Sequence, residues 1–135
     1  MKKRLFGVCA AALLSLGVAV PASAAPAPEP PYDLLTMGEG PEVLGIVYAD
    51  ANFTGSRIEF RGNGCSKDKD GIPEYQFPLN SEWRWRISSL KLYSSSKNCE
   101  LWLRDRTGDK LSFGGYASVK WLGDWNDQTV TVQFT

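Results

Sequence analysis

The chain has 135 residues, with 15 basic and 15 acidic side chains and no histidine. A Ser-His-Asp triad, a Cys-His dyad and any His-ligated zinc or haem site are therefore excluded. The length suits one domain, and a domain of this size buries roughly two-thirds of the surface its unfolded chain exposes.

The chain opens on a targeting segment. Lys2, Lys3 and Arg4 make a basic start, Leu5 to Val20 is apolar, and Pro21 leads into Ala22-Ser23-Ala24, a small-x-small cleavage pattern. The apolar run is 16 residues long, short of the ~20 that cross a bilayer. Residues 1–24 thus read as a signal peptide and the protein as secreted, with no membrane association after cleavage. Cys9 leaves with the peptide. What remains carries 12 basic and 15 acidic side chains, a net charge of −3, which argues against a nucleic-acid partner.

Residues 25–31, APAPEPP, form an extended Pro-rich linker, and 32–42 read as a loosely docked arm. The folded domain is predicted from near Val43 to Thr135. Within it, Arg57–Phe60, Ser89–Tyr93, Glu100–Arg104, Lys110–Phe113 and Thr129–Thr135 show the period-two alternation of half-buried strands. No stretch sustains a helical period, so the fold class is all-β and antiparallel, a sandwich or barrel. Ser66 to Gly71 is a charged loop. Its Asp68 and Asp70 lack the later acid of a calcium loop, because position 79 is Leu. Cys65 and Cys99 are the only cysteines left after cleavage, and an even pair in a small exported domain reads as one disulfide. It would join the end of the first hairpin to the start of the chain's second half.

An internal duplication organises the rest. Trp83 to Leu92 lies over Trp125 to Phe134, each copy a Trp, three intervening residues and a strand. A hairpin precedes each: Val47 to Phe60, and Leu101 to Phe113. Two such units, each unable to cover its own inner face, pack as two sheets. Trp83 and Trp125 are expected in the core. Trp85 has the opposite parity in Trp83-Arg84-Trp85-Arg86 and is the candidate partner-binding residue, for a protein or a sugar ring.

The stretch Tyr48-Ala49-Asp50-Ala51-Asn52-Phe53-Thr54-Gly55-Ser56 resembles the folded hairpin of the βγ-crystallin superfamily. The resemblance covers residues 43–135, with repeat one at about 43–93 and repeat two at about 99–135. It implies two Greek-key motifs packed as a βγ-crystallin-like sandwich. The second hairpin departs from the pattern, with Thr107 where an aromatic belongs. The family's calcium signature is two Asn or Asp, two variable residues, then Ser or Thr and Ser. Here it is split: Asn126-Asp127 keeps the acidic half and Arg86-Ile87-Ser88-Ser89 the other. Because the two loops exchange ligands in that family, one combination survives by resemblance: the Arg86 carbonyl, the Ser88 hydroxyl, Asp127 and Asn126. These oxygen donors suit one Ca²⁺. The reciprocal combination is lost, since it would need an acid at Trp85 and a hydroxyl at Val130. The competing reading makes Asn126-Asp127 a simple turn.

Nothing in the chain offers a nucleophile–base pair, a phosphate loop or a metal cluster, so it reads as non-enzymatic. Secreted bacterial proteins of this design, of the actinobacterial type, resemble peptidase inhibitors acting on extracellular metalloproteinases. The resemblance implies that activity, with an extracellular protease or another protein as partner and the protein as a monomer. The alternative is a calcium-binding structural or cell-envelope module. A third reading, a wall-sugar-binding module or toxin, draws on the Trp-Arg run alone.

Overall fold

A computed structural model defines the fold and describes residues 32–66, 72–93 and 98–135. The segments read above as a signal peptide (1–24) and a Pro-rich linker (25–31), and residues 67–71 of the charged loop, lie outside the described residues.

The strands, in chain order, are β1 (Leu34–Met37), β2 (Glu42–Asp50), β3 (Thr54–Gly62), β4 (Tyr75–Pro78), β5 (Ser89–Leu92), β6 (Leu101–Arg104), β7 (Lys110–Phe113), β8 (Ser118–Val119) and β9 (Thr131–Phe134). They form two sheets, ordered β1-β3-β2-β5-β8 and β4-β9-β6-β7. The order shows the duplication directly. In the first half β3, β2 and β5 lie side by side while β4 crosses to the other sheet; in the second, β7, β6 and β9 lie side by side while β8 crosses back. Each half is a Greek key that lends its third strand to the other. Neither sheet is complete without both halves.

The alternation in the sequence decides which faces meet. Along β3, Ile58 and Phe60 are fully buried, while Arg57 is exposed and Glu59 and Arg61 are partly exposed on the outer face. Ile58, Phe60, Val47 and Leu44 from one sheet face Leu101, Leu103, Val132 and Phe134 from the other in a continuous core. Phe60 lies 5.0 Å from Phe77 and 5.6 Å from Phe134, ring centre to ring centre, so aromatics weld the sheets. Each fully buried large side chain of this kind stabilises the fold by about 1.5–3 kcal/mol.

The arm is more than a loose tether. Leu34–Met37 pairs in parallel with Arg57–Phe60 and becomes the edge strand of the larger sheet. Leu34 and Leu35 both remain exposed, so the backbone ladder holds it, helped by Met37 against the core. Four residues held by backbone bonds leave no apolar period, which is why the sequence places the domain start near Val43. The connection to β2 crosses the end of β3 at Gly40, where a Cβ would sit 2.2 Å from the Gly62 carbonyl oxygen. Only glycine fits there.

Cys65 and Cys99 form the expected disulfide, with Cα atoms 5.0 Å apart and a sequence separation of 34. It ties the segment after β3 to the segment before β6. A bond closing such a loop stabilises a small domain by about 2–4 kcal/mol.

Candidate functional site

The site grows from the first hairpin. After β2 the chain makes a 3-10 turn at Ala51–Phe53, with Asn52 and Phe53 at positive φ (59° and 64°). Tyr48 and Phe53 meet edge to face at 5.7 Å across the turn. Gly55 has φ +77°, and a Cβ there would collide with the Asp50 carboxylate. This is the aromatic, aromatic, glycine pattern given physical form. Burial, reinforced by the neighbouring Tyr93, pushes the Tyr48 phenol up from its ordinary pKa, so it stays protonated.

Ser88 and Ser89, where the chain enters β5, reach across and staple this hairpin. Ser89 Oγ donates to the Asp50 carbonyl at 2.6 Å and accepts from the Phe53 N–H at 3.0 Å. Ser88 Oγ donates to the Ala49 carbonyl at 2.8 Å. That bond has a consequence for chemistry. A hydroxyl has one hydrogen, and Ala49 takes it. The 3.4 Å approach of Ser88 Oγ to Asp127 Oδ1 therefore sets a lone pair against a carboxylate. Two oxygens so placed offer a cation a seat.

The loops that carry these residues are related by an offset of 42 positions. Asp127 has φ 57° and its N–H donates to the Ile87 carbonyl; Trp85 has φ 66° and its N–H donates to the Thr129 carbonyl. The distances are 3.1 and 3.2 Å. Each loop thus hands one backbone bond to the other, and the two left-handed residues are equivalent. Among the sequence-predicted ligands, the structure brings Ser88 and Asp127 together. Asn126 sits beside them: its Nδ2 donates to Asp127 Oδ2 at 2.7 Å, and its Oδ1 is buried with no partner among the described residues. No N–H or hydroxyl among the described residues donates to the Arg86 carbonyl.

The reciprocal half has the backbone and lacks the oxygens. Trp85 presents an indole that is 43% exposed, and the Val130 N–H donates to the Arg104 carbonyl. The arginines that flank Trp85 are engaged elsewhere. Arg84 Nε donates to the Leu79 carbonyl at 2.9 Å, and Arg86 reaches the Glu82 carbonyl at 3.4 Å with its guanidinium 5.6 Å from the Trp83 ring centre. Trp83 is buried and Trp125 packs, half-buried, against the core. Trp85 is exposed as expected, though the cause is a turn and not strand parity: residues 81–85 form a turn, and Arg84, Trp85 and Arg86 are all exposed.

Some contributors escaped the sequence reading. The hairpin carbonyls of Ala49 and Asp50 orient both serines, and only the Ser-Ser pair itself hints at it. In the second hairpin Thr107 does not stand in for an aromatic. Its N–H and hydroxyl both bind Asp105 Oδ1 at 2.8 Å, and the Asp109 N–H joins them at 2.9 Å. Slight desolvation pushes the Asp105 carboxyl up, but these hydrogen bonds outweigh it and hold it below the ordinary carboxylate range. Exposed Tyr116 and Trp121 flank β8, and no periodicity announces them. Among the described residues there is no group of three or more His, Cys, Asp or Glu able to hold a metal, no enclosed pocket, and no helix long and apolar enough to cross a membrane.

Two hairpin-bearing Greek keys that exchange their third strands, with a Ser-stapled turn on the first, settle the architecture. The chain has a βγ-crystallin-type fold. Solved structures that resemble the chain include a βγ-crystallin domain from Clostridium beijerinckii (19% identity, 67% of this chain and 95% of that one, TM-score 0.47). A structure described under the evolution of the eye lens βγ-crystallin domain fold matches at 16% identity, over 73% and 92% of the two chains, TM-score 0.48. The N-terminal domain of Protein S matches at 15%, over 67% and 93%, TM-score 0.45. At these values the likeness carries no argument of its own, and the strand order above carries the fold assignment. No family model and no curated protein matches the chain.

Proposed function

We propose that this is an exported, non-enzymatic binding domain that holds one Ca²⁺, weakly, between its two loops. The single observation carrying the reading is the Ser88 Oγ to Asp127 Oδ1 approach of 3.4 Å, with the hydroxyl hydrogen already committed to Ala49. Asn126 Oδ1, buried and unpartnered, and the Arg86 carbonyl complete an all-oxygen donor set of the kind a hard cation takes. Within this reading Ser88 fixes one oxygen rigidly to the hairpin, and Asp127 supplies the charge. One carboxylate makes for low affinity, because calcium affinity rises with the number of charged ligands. Titration calorimetry of the mature protein tests the proposal. One site per chain is expected, lost in Asp127→Ala; absence of heat at millimolar Ca²⁺ would reduce Asn126-Asp127 to a turn.

A second reading, inhibition of an extracellular metalloproteinase, draws on the family resemblance and on the small, disulfide-tied frame that presents Trp85 between two arginines. Titration against a panel of secreted metalloproteinases addresses it. Unchanged proteolysis at stoichiometric excess rejects it.

A further inference from the structure

The bend between β3 and the disulfide contains an Asn-Gly peptide. Asn63 is followed by Gly64, is exposed, and its side chain makes no hydrogen bond among the described residues. The other described asparagines differ. Asn80 Oδ1 accepts from the Trp83 N–H at 3.0 Å, Asn98 Nδ2 donates to the Cys65 carbonyl, and Asn126 Nδ2 is bound to Asp127. Asn52 precedes a phenylalanine, whose side chain hinders attack by the following nitrogen.

We infer that Asn63 is a site of spontaneous modification: an intramolecular succinimide forms at Asn63-Gly64 and opens to aspartate or isoaspartate. The Gly64 nitrogen attacks the Asn63 side-chain carbonyl carbon, a new C–N bond closes the five-membered imide, and ammonia leaves with the amide nitrogen. Water then adds to either imide carbonyl, giving the ordinary or the β-linked residue. Every reactant but water is present in the chain. The geometry supports the step at three points. No acceptor among the described residues occupies the Gly64 N–H, so the nucleophile is free. Gly64 has no Cβ, and its φ of +86° is one that other L-residues rarely adopt. The Asn63 amide points into solvent, where its leaving group can depart.

One side chain restrains the reaction. The Tyr75 hydroxyl accepts from the Asn63 N–H at 3.0 Å and donates to the Gly64 carbonyl at 3.0 Å, bracketing the two residues. Ring closure needs rotation about the Asn63 backbone, and these two bonds oppose it. Tyr75 is thus a brake that sets the rate. The product matters to the fold because the bend joins β3 to Cys65. A β-linkage lengthens the backbone there by one carbon, and the new carboxylate arrives beside Glu42, whose Oε2 lies 3.4 Å from the Cβ position of Gly64.

The test is incubation of the mature, disulfide-bonded protein in mildly alkaline heavy-oxygen water, followed by peptide mapping. Heavy oxygen should enter at position 63 before any other asparagine, mostly as isoaspartate. Tyr75→Phe should raise the rate several-fold, and Asn63→Gln should abolish the label at that position. A reduced peptide spanning residues 61–66 serves as the unrestrained reference. The inference is overturned if that peptide converts fully while folded wild type and Tyr75→Phe both stay unlabelled at position 63, or if another asparagine converts first. Equal rates in wild type and Tyr75→Phe would overturn the role given to Tyr75.

Discussion

The two loops at the top of the sandwich share a backbone and differ in chemistry. Trp85 and Asp127 occupy equivalent left-handed positions, and each donates its N–H to the residue two past the other: Thr129 and Ile87. Beside the Asp127 carboxylate stand a serine hydroxyl and an amide oxygen; position 85 itself carries an indole, and position 130, the equivalent of Ser88, carries a valine. The comparison teaches that the Greek-key frame sets the dihedrals and the exchanged bonds, while side chains alone decide whether the cradle can take a cation. A left-handed tryptophan is costly for a bulky L-residue. Its persistence at the equivalent position shows that the frame imposes this conformation even where no acid or amide is there to use it.

The largest way to break the comparison is through the core. Trp83→Ala should destabilise the domain by about 3–5 kcal/mol in denaturant unfolding, since the indole is only 4% exposed. The equivalent Trp125→Ala should cost markedly less, because that ring is half-buried. Equal losses would mean that the repeats are equivalent in packing as well as in backbone.

Next comes the staple. Ser89→Ala removes both hairpin bonds and leaves the Phe53 N–H and the Asp50 carbonyl short of a partner, a cost of about 1–3 kcal/mol. Thr131, its counterpart in repeat two, stands outside any such staple among the described residues, and Thr131→Ala should fall well below that. Chemical denaturation of both variants checks it.

A third variant sharpens the contrast by converting the silent half. Trp85→Asp combined with Val130→Ser places an acid and a hydroxyl where the first half has them, and aspartate tolerates positive φ better than tryptophan. The expected calcium stoichiometry rises from one to two. A stoichiometry of one in a folded double variant would show that the frame does not bring positions 85 and 130 together as it does 127 and 88.

The smallest effect lies in the second hairpin, where a polar cage replaces the aromatic pair. Asp105 is held below its unfolded pKa by its hydrogen bonds, so its contribution is present above the unfolded pKa and is lost as pH falls through the lower folded value. The melting-temperature gap between wild type and Asp105→Asn should be open at neutral pH and close in acid. Because the carboxylate is exposed, the gap should be slight, and a gap unchanged with pH would remove the cage from the account.

Much of this was legible in the residues. The alternation of Arg57 to Phe60 and Lys110 to Phe113 announced strands, and the offset between the Trp83 and Trp125 segments announced two equivalent units. The hairpin was readable through its resemblance to the βγ-crystallin hairpin, whose glycine takes positive φ while two aromatics pack across the bend. β1 was not, since a parallel edge strand is held by backbone bonds that any sequence can make. β4 ends in Pro78, tolerable there because the strand lies at a sheet edge, and β8 has two residues, too few for a period. Within the site, the family resemblance pointed to Arg86, Ser88, Asn126 and Asp127. The commitment of the Ser88 hydrogen to Ala49, 39 positions away, is a property of the packed chain.

The central claim, that the two loops hold a cation on one side only, is tested most directly by thermal melts of the protein (residues 25–135) with millimolar calcium and with chelator. An ion bound only by the native state raises stability by about 2.7 kcal/mol at a hundredfold excess over Kd. Calcium should therefore raise the melting temperature of wild type and of Val130→Ala alike, and leave Asp127→Ala where chelator leaves it. A wild-type midpoint that does not move, or an Asp127→Ala midpoint that still rises with calcium, would contradict the account.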